Sequence, residues 1–342
     1  MSTAAEIRSR ISSISETKKV TDAMYMISSV KMRRARRERD NTAPYFNALR
    51  QELGELLHYL PEHKSPYFRL PDNEHPFGRA MLLITSDKGL AGSYNQTAIR
   101  AAEELMRREE DLLLYIVGEY GRQYFQSRHV PVASHFSYAA AFPTVRQAQH
   151  ICVDLLDEYK RGRLQQIEIV YTHYHAGRPG ETKTRTLLPL NRSDFFDSSG
   201  IENVYGKEFI PSPEAVLEGI VPSYLTGFIY GALVDSYCSE QEARMTAMQS
   251  AGKSAEEMLS QLQVQYHSIR QVIHTNNSIV HHVTCMIYIS IYNLDLTHVI
   301  CKLYRHIQPT LKVPYLFVIC IKHLLTGSVK VRMVCIFLVD SP

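Results

Sequence analysis

The first stretch of the chain constrains it most. Between Thr3 and His58 there is a single Gly, Gly54, and a single Pro, Pro44, so little in that stretch can stop a helix. Ile7, Ile11, Ile14, Met24, Ile27 and Lys31 step by threes and fours apart from a slide at Val20. The spacing predicts one helix over 3–58 with a narrow seam of coiled-coil type. About 50 residues at 1.5 Å each span ~75 Å. No compact domain hides that length, so the helix requires a partner helix. A second long helix is predicted over 213–271, where Ser212-Pro213-Glu214 gives a cap residue, a Pro at the first position and an early acid. Apolar residues recur along it from Val216 to Leu262, with Pro222 expected to kink or break it early and Gly227, Gly231 and Gly252 expected to weaken it.

Between the two helices the pattern changes. Pro61, Pro66, Pro71 and Pro76 mark an extended linker. AMLLIT (80–85), LLLYIV (112–117) and QIEIVYTHY (166–174) read as strands, with helices over 98–108, from Gly121 and over 146–160. Thr182 to Leu188 reads as a hairpin partner of the last strand. Strand and helix alternation argues for βαβ units and a partly parallel sheet. The expected fold class is therefore α/β with long helices: an antiparallel coiled coil of the N- and C-terminal helices plus an inserted Rossmann-like α/β domain. The expected parts are a helix at 1–60, a linker at 61–79, the α/β domain at 80–206, a second helix at 207–271 and an atypical tail at 272–342.

Charge narrows the function. The 342 residues carry a net charge of only +3, so no global field points to nucleic acid or membrane. Residues 31–40, KMRRARRERD, nevertheless hold six cations and two anions. That helix face suits solvent or an acidic protein partner, and a nucleic-acid-binding coiled coil is the alternative. The N-terminus has no apolar core of a signal peptide, and the six Cys have no paired spacing, which predicts free thiols in a reducing compartment. The tail from Val272 contains no Ala and no Glu but four of the six Cys. So abrupt a change suggests a frameshift, a readthrough, a mistaken gene model or disorder.

The site motifs are mostly negative. Asp87-Lys-Gly-Leu-Ala-Gly92 lies between a strand and a helix, but its Gly spacing matches neither dinucleotide nor P-loop fingerprints. A tight turn is the expected reading. His173 with His175, and His281 with His282, lack the further ligands that a metal site needs. No nucleophile–base set or paired carboxylates stand out, so no catalytic residue, cofactor or metal is predicted.

Three blocks of residues then carry a resemblance. They are Ile7-Arg-Ser-Arg-Ile-Ser-Ser-Ile14 with Thr17–Met24 and Met26–Ala35, Ile84-Thr-Ser-Asp-Lys-Gly-Leu-Ala-Gly-Ser-Tyr-Asn95, and Ser239–Met248 with Ala255-Glu-Glu-Met258 and Arg270-Gln271. In order and spacing over 1–271 the chain resembles the gamma subunit of F-type ATP synthases. The resemblance implies a non-catalytic rotor shaft standing in a ring of alpha and beta subunits. Its foot would rest on the c-subunit ring beside the epsilon subunit, peripheral on the cytoplasmic side of the cell membrane. It implies subunit contacts through Lys18, Lys19, Met24, Arg33, Arg34, Arg36, Arg244 and Gln271. The match is expected to end at Gln271.

Overall fold

The computed structural model describes residues 3–60, 65–68, 78–108, 112–195 and 208–292. The chain divides into two compact units, Met1–Ile269 and Arg270–Pro342. Helix α1 runs Ala4–Leu57. Thr3 and Glu6 start it as a capping box, each side chain accepting from the other's backbone N–H at 3.3 and 3.0 Å. After it come β1 (Arg79–Ile84), α2 (Tyr94–Arg108), β2 (Leu112–Val117), α3 (Glu119–Gln126), α4 (Val145–Lys160), β3 (Gln166–His175), β4 (Arg178–Leu188) and α5 (Pro213–Tyr292).

The four strands form one sheet in the order β2-β1-β3-β4, parallel except for the antiparallel β3–β4 hairpin. Period-two alternation sends β1 side chains to opposite faces. Met81 and Leu83 pack with Ala98, Ile99 and Ala102 of α2 and Phe125 of α3. Ala80, Leu82 and Ile84 share the other core with Ile151 and Leu155 of α4, Leu56 and Leu57 of α1, and Val221, Leu225 and Ile229 of α5. The sheet is thus buried on both faces, and one of them rests on the ends of the long helices.

Within the first unit α1 and α5 lie antiparallel. The Phe46 ring meets Tyr230 at 6.2 Å, Arg39 meets Asp235 at 3.3 Å, the Cys238 thiol donates to the Met32 carbonyl at 3.9 Å, and Gly252 lies beside Thr21 and Asp22. Numbers fall along α1 as they rise along α5. The α1 seam is Ile7, Ile11, Ile14, Lys18, Thr21, Tyr25, Ser28, Met32, Ala35, Arg39, Thr42, Phe46, Leu49 and Leu53, all buried or half-buried. Its steps alternate four and three without a slip, the heptad rhythm of a coiled coil.

Several expectations change. Ile27 is not on the seam: it is exposed, and the small polar Thr21 and Ser28 take that line instead. Pro222 does not break α5, which is continuous from Pro213. Neighbouring Val221 and Leu225 are buried in the core, and that packing holds the helix through the missing N–H. Gly227 is a requirement rather than a weakness, since a Cβ there would stand 2.1 Å from the Phe46 ring. Part of the predicted linker is anchored: Tyr67 is fully buried, and its carbonyl accepts from Leu190 N at 2.7 Å. Pro61, Pro71, Pro76 and residues 196–207 lie outside the described residues, as does the tail from 293. In the second unit the helix continues through Tyr292, so residues 272–292 are helical rather than disordered.

Candidate functional site

Two places in the first unit stand out: the joint where the α/β domain meets the helix pair, and the face of α1 turned away from its seam.

The joint contains the segment singled out in the sequence. Strand β1 delivers Thr85, Ser86 and Asp87 at its C-terminal end, and the chain turns there through Leu90 (φ 64°) and Gly92 (φ 55°) into α2. Asn95 closes the turn, accepting from Ser86 N at 3.0 Å through Oδ1 and donating to Ser86 Oγ at 2.7 Å through Nδ2. Thr85 Oγ1 accepts from Gly121 N at 3.1 Å, and Gly118 (φ 95°) passes so close that a Cβ would stand 2.4 Å from the Thr85 carbonyl. Asp87 decides what the loop does. Its carboxylate accepts from Glu119 N, the first residue of α3, at 3.3 Å, and from Ala140 N and Ala141 N, each at 2.9 Å. The anion position at that helix N-terminus, where a phosphate would sit, is filled by the protein's own carboxylate. The tight-turn reading accounts for these contacts.

Arg244 of α5 locks this loop to the helix pair. Only 8% exposed, it donates to the carbonyls of Lys88 at 3.2 Å and Gly89 at 3.1 Å and pairs with buried Glu240 one turn earlier. Burial pushes the Glu240 carboxyl above its ordinary range, and the Arg244 guanidinium offsets only part of that rise. Arg244, predicted as a subunit contact, is thus engaged inside this chain.

The β3–β4 hairpin makes a second attachment. Ser236 Oγ accepts from Thr172 N at 3.1 Å, and Ser239 Oγ donates to the Thr172 carbonyl at 3.5 Å. Gly180 is needed here because a Cβ would come within 2.7 Å of Ser239 Oγ. Asp235 reaches His173 Nδ1 at 2.5 Å and Arg39 at 3.3 Å. The His173 and His175 rings touch at 4.6 Å, yet His173 faces Asp235 and His175 faces Glu181 at 3.6 Å. Among the described residues no three metal-capable side chains gather. Asp235 was missed in the sequence, although its signal is there: a lone acid in the apolar run Ala232-Leu-Val-Asp-Ser-Tyr-Cys238.

The outer face of α1 is unusual in another way. Val20 (58%), Met26 (67%), Ile27 (53%) and Val30 (59%) are all exposed, on the side opposite Thr21 and Ser28. Exposed Lys19, Arg33 and Arg34 flank them. Arg34 pairs with Glu38 at 3.1 Å and Arg36 with Asp40 at 4.0 Å. Those pairs blunt the cation cluster, and the nucleic-acid reading finds no support. Lys18 sits half-buried in the seam beside Asp22 at 3.6 Å, and Met24 is half-buried next to the seam. Gln271 lies in the second unit, exposed on α5, its carbonyl accepting from Thr275 at 2.9 Å. Within the first unit, Lys19, Arg33, Arg34 and Arg36 are exposed on α1, Lys18 and Met24 are half-buried at or beside its seam, and Arg244 is engaged at the joint.

The family model described as ATP synthase matches residues 3–277. The chain is 34% identical over 270 residues to the ATP synthase gamma chain of Ruminiclostridium cellulolyticum, covering 78% of this chain and 92% of that one. It is 36% identical over 277 residues to the ATP synthase gamma chain of Caldanaerobacter subterraneus subsp. tengcongensis, covering 78% and 93%. Among solved structures it is similar to a chain of the Euglena gracilis mitochondrial ATP synthase rotor in rotational state 1, with a TM-score of 0.53 and 15% identity, covering 79% of this chain and 98% of that chain. The family match runs six residues past Gln271, beyond the expected end.

Proposed function

The chain belongs to the ATP synthase gamma-chain family and is a rotor subunit of that complex, and from that premise we propose how it works. It is a non-catalytic central stalk of a proton-translocating enzyme, peripheral on the cytoplasmic side of the cell membrane. The α1–α5 pair stands within the ring of alpha and beta subunits, while the α/β domain meets the epsilon subunit and the c-subunit ring. Turning of the foot carries the asymmetric helix pair past each catalytic site in succession.

One observation carries this reading. Along residues 20–30 the seam of α1 turns to small polar Thr21 and Ser28 while Val20, Met26, Ile27 and Val30 stand exposed. A helix pair that ended its interactions at its own seam would place these the other way round. Apolar residues beside the cations Lys19, Arg33 and Arg34 suit a sleeve of apolar and acidic side chains, with charge setting orientation more than strength. Each site passes through different nucleotide affinities because the helix pair presents a different face to each. The test replaces Ile27 and Val30 with Glu and reconstitutes the chain with alpha and beta subunits. The double variant is expected to co-purify with the hexamer at least fivefold less than wild type while folding normally. Undiminished co-purification and turnover would overturn this placement of α1.

A further inference from the structure

Asp235 touches three elements at once. It projects from α5, is 4% exposed, takes the imidazole of His173 on β3 at 2.5 Å through Oδ2, and faces the guanidinium of Arg39 on α1 at 3.3 Å through Oδ1. The Arg39 contact is an ion pair without good hydrogen-bond angles, because Oδ1 has no hydrogen-bond partner. Around the cluster stand Arg36 and Asp40 from α1, Tyr171 and the Tyr174 backbone from β3, Glu181 and Arg185 from β4, and Cys238 from α5.

Stability does not explain this arrangement. Burial raises the Asp235 carboxyl above its ordinary range despite the opposing pull of Arg39 and His173. A buried ion pair often gains nothing over an apolar trio of the same shape. What such a group does supply is placement, because one oxygen holds a ring nitrogen by a hydrogen bond and the other draws a cation from a different element to the same buried point, which apolar packing would not require. Here those contacts run to the sheet and to the second helix. The neighbouring Ser236, Ser239 and Arg244 attachments join the α/β domain to α5 alone.

We propose that Asp235, with His173 and Arg39, is a torque-bearing joint: a set of positioning residues that holds the α/β domain at a fixed angle to both long helices. The proposal rests on the rotor reading above. When the foot is driven, the domain would tend to turn relative to the helix pair, and Asp235 resists that slip across all three elements. Loosening it leaves catalysis in the ring intact but loses part of each turn as slip between the α/β domain and the helix pair.

The test uses the whole complex in vesicles, carrying Asp235→Asn, Arg39→Met or Arg39→Lys. ATP hydrolysis is measured in detergent, and ATP-driven proton pumping is measured in the vesicles with a pH-sensitive dye. For Asp235→Asn and Arg39→Met, hydrolysis is expected within twofold of wild type, with protons pumped per ATP reduced at least threefold. Arg39→Lys, which keeps the charge, is expected to restore at least half of the loss. Arg39 is a third exposed, so Arg39→Met keeps the test open where Asp235→Asn fails to fold. Wild-type pumping per ATP in Arg39→Met would overturn the joint. So would hydrolysis and pumping falling in proportion, which would mark these residues as purely structural. A wild-type chain that does not assemble with the alpha and beta subunits at all would overturn the rotor reading itself, and the joint with it.

Discussion

The two halves of α1 solve the same problem differently. From Ala35 to Leu57 the helix is embedded: Leu53, Leu56 and Leu57 are fully buried, the sheet and α4 share its core, and close approach to α5 demands Gly227. From Ile7 to Ser28 the seam runs from apolar Ile7, Ile11 and Ile14 to Lys18, Thr21, Tyr25 and Ser28, while Val20, Met26 and Ile27 stand exposed. The embedded half draws its rigidity from its own chain, whereas the free half, in the function proposed above, is completed by other proteins. Small Thr21 and Ser28 keep that stretch of the seam slim.

That contrast can be broken most sharply at the joint beside the embedded half. Arg244→Met removes the partner of buried Glu240 and the donors to Lys88 and Gly89. A buried charge left unpaired costs about 3 kcal/mol or more, so the urea midpoint of the isolated chain should fall steeply, and an unchanged midpoint would deny Arg244 its locking role. Next, Gly227→Ala forces a methyl into the Phe46 ring, and overpacking costs about 2 kcal/mol. Gly252→Ala in the free half meets the flexible Asp22 carboxylate at 3.3 Å and Thr21 Oγ1 at an ordinary 3.6 Å. There the helix-propensity gain of roughly 0.5 kcal/mol should leave stability equal or slightly higher. Equal losses at the two glycines would erase the distinction between the halves.

A smaller effect follows from Glu240. Its carboxyl is raised in the folded chain, so the folded state keeps a proton that the unfolded chain has already lost. The stability this group contributes is therefore fully present below the ordinary glutamate range and declines as pH climbs from there through the raised one. Urea midpoints across acidic pH should show that decline in wild type and a flatter profile in Glu240→Gln. The smallest effect belongs to the free half. The double Ile27→Glu, Val30→Glu variant should change the stability of the isolated chain by no more than about 0.5 kcal/mol, the usual range for surface positions, while its assembly with partners falls.

Much of this could be read without coordinates. A stretch with few breakers and steps of three and four announced the first long helix, a Ser-Pro-Glu start and recurring apolar residues announced the second, and strand–helix alternation announced the partly parallel sheet. The motif at 84–95 was recognisable as a tight turn because its glycines lacked phosphate-binding spacing. Placement on faces was less legible. Ile27 looked like a seam residue because hydrophobicity was taken to mean burial inside the same chain, whereas the heptad line passes through Thr21 and Ser28 and leaves Ile27 exposed. Pro222 looked like a break because local propensity says so, yet core packing around Val221 and Leu225 outweighs one missing hydrogen bond. Residues 272–292 looked foreign by composition, and composition alone does not forbid a helix from continuing.

The sequence by itself determined the elements, their order and the family, since these depend on periodicity and on residues close together in the chain. Tertiary structure alone decided that Asp87 would fill the α3 anion position, that Arg244 would turn inward to Lys88 and Gly89, and that Asp235 would meet His173 and Arg39. Those partners lie up to 196 residues apart along the chain (Arg39 to Asp235), and no local pattern encodes such a meeting. It exists only once two antiparallel helices and a sheet have packed and left a buried charge nowhere else to go.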